Sequence, residues 1–237
     1  MSSKILMGTN IKIDHINLKT NRNKYGNVSV GLNYNNDTLV MQTPYMSLPW
    51  NLSCYQSSNR NDTFSLSLSF KGIEESEEIE MFFNKLNDID KFIVKQAIKN
   101  KNIWFGNDLS DESIKELYNP IVKHSIDKNT GEPDGKYPPT IKIKIPFRNN
   151  KFNLKVYDAS KKEIDLNNMP LPSLLVKEKE VKVLLEITNI WIMDGKFGCN
   201  LNAVQIKIAN NTVNPSGFLN NESDESEDEY DVSSDDE

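Results

Sequence analysis

The stretch VKVLLEITNIWIMDGKFGCNLNAVQIKI, residues 181–208, alternates apolar and polar side chains on both sides of Asp194-Gly195. A period of two puts successive side chains on opposite faces of an extended chain, and Asp-Gly between two such runs is a strong signal for a tight hairpin. The segment therefore reads as two long antiparallel strands, 181–193 and 197–208. The same period recurs in IKIDHINLK (11–19), VSVGLNY (28–34), TFSLSLSF (63–70), TIKIKIPF (140–147) and FNLKVYD (152–158). The chain is mainly β.

One segment breaks the pattern. Ile79, Phe82, Phe83, Leu86, Ile89, Phe92, Ile93, Ala97 and Ile98 recur at spacings of three and four, which predicts an amphipathic helix over about 76–100. Ser76 is placed to cap it, and Glu77 and Glu78 suit the positive end of its dipole. SDESIKELY, at 110–118, predicts a second, shorter helix that stops before Pro120. Seven or more short strands around one inserted helix fit a small barrel of OB-fold type better than a parallel sheet, which needs helices between most strands. Periodicity alone leaves a β-sandwich open.

The 237 residues hold 28 Lys and Arg against 34 Asp and Glu, a net charge of −6. Ten of those carboxylates lie in the last eighteen residues, NNESDESEDEYDVSSDDE, so residues 1–219 carry a net +4. A mildly basic body with an acidic terminus points to a nucleic-acid surface paired with a competing or partner-binding tail, or to a solubilising terminus. So acidic a run cannot build a core, which makes residues 1–217 the expected domain and 218–237 an expected disordered tail. Two cysteines, Cys54 and Cys199, and the absence of a signal-like or membrane-spanning apolar run lead us to expect an intracellular protein that touches no membrane.

Chemistry of the catalytic kind finds little support. His15, His124 and the two cysteines lack the spacing of a zinc site, and neither a nucleophile elbow nor a Gly-rich dinucleotide fingerprint is present. GEPDGK (131–136) is one residue short of a phosphate-binding loop, and Tyr137 follows where Ser or Thr is needed. DKNTGE (127–132) lacks the glycine of a calcium loop. Both read as turns, and we expect neither an enzyme nor a cofactor or metal.

The basic and aromatic residues are more informative. In TIKIKIPFRNNKFNLKVY, Ile141, Ile143 and Ile145 take one face while Lys142 and Lys144 take the other, with Arg148, Lys151, Lys155 and Tyr157 read as its continuation. Such a row, joined by Lys196, suits a phosphate backbone, and Tyr34, Tyr45, Trp50, Tyr55, Trp191 and Phe197 are candidate base-stacking platforms. Each also has a plainer reading as solvated strand face or core, and for Trp104 and Phe105, just after the helix, core is the favoured reading.

Taken in order, MQTPYMSLPWNLS (41–53), DKNTGEPDGKYPPTIKIKIPF (127–147), the hairpin at 184–208 and the acidic terminus resemble the podophage-type single-stranded DNA-binding proteins carried by nucleocytoplasmic large DNA viruses. The resemblance implies an OB-fold that coats single strands during DNA replication, recombination and repair, often as a homodimer, at a viral replication site in host cytoplasm or nucleus. It also implies that the tail, here Glu222, Asp224, Glu225, Glu227, Asp228, Glu229, Tyr230, Asp231, Asp235, Asp236 and Glu237, competes for the DNA groove and contacts a DNA polymerase or a helicase/primase. Phage members end on an aromatic residue, whereas Tyr230 is the last aromatic here. A different class, an acidic-tailed chaperone or scaffold for basic proteins, stays open, and so does RNA in the same groove, since stacking and phosphate contacts do not select the sugar.

Overall fold

The computed structural model describes residues 5–56, 62–106 and 109–210. Its strands are β1 (Ile16–Arg22), β2 (Val28–Tyr34), β3 (Asp37–Gln42), β4 (Met46–Ser47), β5 (Thr63–Ser69), β6 (Thr140–Ile145), β7 (Lys155–Tyr157), β8 (Glu180–Met193) and β9 (Lys196–Ile208), with further short pairings named below. Helix α1 spans Glu77–Lys99 and α2 Asp111–Leu117, with a single helical turn at Lys101–Trp104.

The hairpin of β8 and β9 organises the molecule. It runs from Val181↔Ile208 to Met193↔Lys196, and the tight turn places Asp194 and Gly195 at φ +51° and +75°. From it a ring closes: β8 pairs with β4, β4 with β5, β5 with β6 in antiparallel register, and β6 with β9 in parallel at Lys144↔Asn202. Five strands closed in this order form an OB-type barrel, and closure rules out the sandwich. Val181, Val183, Leu185, Ile187, Ile141, Ile143, Leu66 and Leu68 fill its interior at 0% exposure. Burying each such side chain contributes about 1.5–3 kcal/mol.

Period-two reading missed β3 and β4, the two halves of one barrel strand. Leu39, Val40 and Met41 are apolar in succession because side chains on both faces are buried, and Ile5–Met7 pairs in parallel along the edge at Val40–Gln42. Pro44 then interrupts the ladder, and Thr43 repairs it. Its backbone N–H donates to Val183 O at 2.9 Å, while its hydroxyl accepts from Val183 N at 3.0 Å and donates to Pro44 O at 2.7 Å. IKIDHINLK is also only half a strand, since single 3-10 turns occupy Gly8–Asn10 and Ile13–His15 and β1 starts at Ile16.

The predicted helices form. Ser76 Oγ accepts from Ile79 N at 3.4 Å, and Ser110 Oγ caps α2 by accepting from Ser113 N at 3.1 Å. Inserted between β5 and β6, α1 buries Phe82, Leu86, Ile89, Ile93 and Ala97. It packs on Gly8–Asn10, Ile13–His15, α2 and Val122–Lys123. At Gly8 a Cβ would come within 2.6 Å of the Phe82 ring, so the close approach of that turn to the helix needs glycine.

A polar staple holds the segment after α2. Tyr118–Asn119 pairs with Phe197–Gly198 of β9, and Val122–Lys123 pairs with Thr140–Ile141 of β6, filling the wedge where those barrel strands diverge. Asp90 of α1, only 8% exposed, accepts from Tyr118 Oη at 2.5 Å and from Ile121 N at 3.0 Å. Burial pushes the Asp90 carboxyl up to about 6, against the opposing pull of its hydrogen bonds and Lys123. Burial also raises the Tyr118 phenol and, most strongly of its causes, the Cys199 thiol.

The expected boundary at 217 and the tail 218–237 lie outside the described residues. No helix among the described residues is long and apolar enough to cross a membrane.

Candidate nucleic-acid interface

The outward face of β5 and β6 is built by their sequences. In TFSLSLSF the leucines turn inward, leaving Ser65 and Ser67 half-exposed on the outer face while Ser69, on the same face, is covered to 5% exposure; in TIKIKI the isoleucines turn inward, leaving Thr140, Lys142 and Lys144 outside. Register sets Ser65 opposite Lys144, Ser67 opposite Lys142 and Ser69 opposite Thr140. The result is a low track of hydroxyls edged by ammonium groups, on the two strands with which OB barrels grip oligonucleotides.

A cleft lies at each end of this track. The first, about 1130 Å³, begins at Ser69 and Thr140 and is walled by Tyr45, Trp50, Tyr137, Lys71 and Lys177. The second, about 830 Å³, contains Ser65, Lys142, Lys144, Tyr55, Arg148 and Asn202. Trp50 is 58% exposed, Tyr55 72% and Tyr137 63%.

Trp50 is held out on a fixed backbone. Leu48 N donates to Lys179 O at 2.9 Å, Leu52 N to Leu175 O at 2.8 Å, and Lys177 N to Asn51 Oδ1 at 2.8 Å. Tyr55 ends a short strand, Ser53–Tyr55, that pairs with Thr63–Ser65. Arg148 reaches the second cleft because Phe147 and Phe152 pack edge-on against Phe64, with centroids 4.8 and 4.9 Å away. That small hairpin turns through Asn149 and Asn150, at φ +51° and +56°. Lys144 Nζ donates to Asn200 Oδ1 at 2.6 Å, and Asn200 Nδ2 to Asn189 Oδ1 at 2.9 Å. A neutral amide thus fixes the ammonium without cancelling its charge. Lys142, Lys144 and Arg148 form no ion pair among the described residues.

The face is not uniformly positive. Lys71 and Lys177 share the first cleft with Glu75, Glu178 and Glu180, and Asp62 and Glu186 enter the second. Attraction for phosphate is concentrated at Lys142, Lys144 and Arg148, where cations outnumber carboxylates.

Of the residues singled out from sequence, the clefts gather Tyr45, Trp50, Tyr55, Lys142, Lys144 and Arg148. Phe197 is a correction: it is 0% exposed, packed against Trp104, Phe105 and Tyr118, and has no ring face for a base. Lys151 and Lys155 do not continue the Lys142–Lys144 row, because the strand stops at Pro146 and doubles back through Asn149-Asn150. Lys151 closes that turn opposite Arg148, while Lys155 sits on β7, beyond β9, paired to Glu163 at 2.9 Å. Lys196, at the hairpin turn, is six residues or about 20 Å along β9 from Asn202. Trp191 is half-buried and lies over Gly198, where a Cβ would meet its ring at 2.9 Å. Tyr34 packs on His15 at 5.5 Å and lines neither cleft. Tyr137, Lys71 and Lys177 are cleft residues that sequence reading overlooked; Tyr137 sits in the turn-rich loop set aside as a decoy.

The family of unknown function (DUF5871) matches residues 72–219. The chain belongs to that family. The matched region holds α1, β6 and the organising hairpin, while β3, β4, β5 and both Trp50 and Tyr55 precede it. No curated protein matches the chain. Among solved structures it is similar to the single-stranded DNA-binding protein from bacteriophage Enc34 in complex with ssDNA, at TM-score 0.45 and 10% identity over 75% of this chain and 89% of that one. It is also similar to gp2.5, a single-stranded DNA binding protein encoded by bacteriophage T7, at TM-score 0.43 and 14% identity over 83% of this chain and 100% of that one. These likenesses are loose, and the barrel stands on its own strand pairing.

Proposed function

We propose that this DUF5871 chain binds single-stranded DNA along the β5–β6 face, largely without regard to sequence. The observation that carries this reading is Trp50, an exposed indole on a backbone tethered at both ends, beside a track of serines and lysines with Tyr55 at its far end. A core does not need such a ring, whereas unpaired bases stack on it, and Lys142, Lys144 and Arg148 are placed to meet phosphates. Titrating labelled oligo-dT while following Trp fluorescence tests it. Quenching that saturates, with weak binding to duplex, is expected; equal affinity for duplex overturns it. Oligo-U in parallel reports on RNA.

The finer reading is a protein that coats single strands in viral DNA replication, recombination and repair, acting as a dimer. In it the carboxylates of residues 222–237 occupy the same face until DNA displaces them, and then reach a polymerase or helicase/primase. Its support is the charge complementarity between that segment and Lys142, Lys144 and Arg148, and tethering, which raises the effective concentration to around millimolar. Truncation after Asn221 should tighten oligo-dT binding at low salt, with a gain that shrinks as salt screens the tail. Unchanged affinity at every salt concentration removes the competition.

A further inference from the structure

Behind Tyr45 lies a second, smaller concentration of positive charge. A hollow of about 260 Å³ is lined by Lys161, Lys182, Lys207, Tyr157 and Gln205, together with apolar and amide neighbours, and no carboxylate lines it. Lys182 and Lys207 are direct cross-strand partners in the β8–β9 ladder, on its outward face. Like charges placed so repel and weaken a sheet, and natural ladders generally set an opposite charge there. Lys161 joins them from a turn in which its own backbone takes φ +68°, a conformation disfavoured for any side chain but glycine's. None of the three lysines forms an ion pair among the described residues. Lys182 Nζ sits 4.6 Å over the ring of Tyr45, and Tyr45 also walls the first cleft.

Ammonium groups aligned across a ladder, with no carboxylate among the residues that line the hollow, repel one another in a way that a bound anion would relieve. We propose that Lys161, Lys182 and Lys207 form a phosphate-binding site, and that its ligand is the backbone of the single strand after it leaves the first cleft over Tyr45. The hollow is small beside the clefts and offers ammonium and amide donors, which suits phosphodiester groups and not stacked bases. Lys182 lines the hollow and sits over the Tyr45 ring that walls the cleft, so a strand that stacks in the cleft has its next phosphates within reach of Lys182. This extends the binding path beyond the β5–β6 face, and it rests on the single-stranded DNA reading.

The test is the double substitution Lys182→Gln/Lys207→Gln, measured with oligo-dT of two lengths, one that fills only the clefts and one several nucleotides longer. Salt dependence falls by about 0.7 per lost phosphate contact on single strands. The variant should therefore lose about 1.4 from the log–log salt slope with the longer oligonucleotide and nothing with the shorter. Its melting temperature should equal or exceed that of the unaltered protein, because repulsion has been removed. An unchanged slope with the longer oligonucleotide overturns the proposal, as does an equal loss with both lengths, which would place these lysines in the general field of the protein. Should the unaltered protein bind no oligo-dT, the DNA reading fails on its own. The hollow is then judged with inorganic tripolyphosphate: a rise in melting temperature that the double variant lacks supports a phosphate site, and equal rises in both proteins dismiss it.

Discussion

The phenol of Tyr118 donates a 2.5 Å hydrogen bond to the Asp90 carboxylate, and through this contact α1 grips the segment that seals β6 to β9. Removal from water dominates the carboxyl's behaviour, so it titrates near 6 in the folded chain against an ordinary value of 3.8. A raised pKa means the fold binds the proton more tightly than the unfolded chain does. The contribution is therefore complete below about pH 4 and is lost as pH rises through 6. Relative to Asp90→Asn, which keeps an acceptor but cannot titrate, the unaltered protein should lose about 2 kcal/mol of stability between pH 4 and 7. Urea unfolding of both proteins across that range checks the sign as well as the size.

Trp50→Ala and Tyr55→Ala separate stacking from packing. Both rings are mostly exposed, so melting temperatures should stay within a degree or two. Affinity for oligo-dT should fall by about 1–3 kcal/mol for each ring that stacks on a base, with little change in salt dependence. Fluorescence anisotropy at several salt concentrations measures both quantities. A large drop in melting temperature for Trp50→Ala would mean that the loop at 48–52 depends on the indole.

Lys142→Gln/Lys144→Gln should do the reverse. Removing two cations from the track is expected to lower the log–log salt slope by about 1.4 while the circular dichroism spectrum stays the same. With carboxylates also entering both clefts, the total slope should be modest, of the order of a few contacts.

Thr43→Val preserves side-chain shape and removes one oxygen. Val183 N–H would then lose its buried hydroxyl acceptor at the break in the ladder. A cost of about 1–3 kcal/mol is expected in urea unfolding, a larger effect than Thr→Val produces at exposed strand positions.

Most of the strand content and both α1 and the shorter α2 were legible because each carries its own period in local sequence. Ser76 and Ser110 announced the helix starts, and Asp194-Gly195 announced the hairpin. What local period cannot carry is register across distance: nothing in SLSLS or KIK says that Ser67 will stand opposite Lys142. The strand at 39–42 escaped notice for a different reason, since a segment covered on both faces has no alternation to display. Lys155 was misplaced although the turn signal was present in Pro146 and Asn149-Asn150; the lysine spacing outweighed it. Phe197 shows that an aromatic on an alternating strand faces core or solvent according to the face it falls on, and its neighbours Leu201 and Ala203 on the inner face of β9 mark that side.

The hydrogen bonds between Thr43 and Val183 join residues 140 positions apart. Since β4 must find β8 before the ring exists, the interior cannot be shielded until nearly all of the described chain has left the ribosome. Contacts of such separation make folding slow, on the millisecond-to-second scale typical of β proteins dominated by non-local pairing. During synthesis the early strands β1 to β5 wait with their inner faces uncovered, and α1, whose contacts along its own length are local, is the element able to form first.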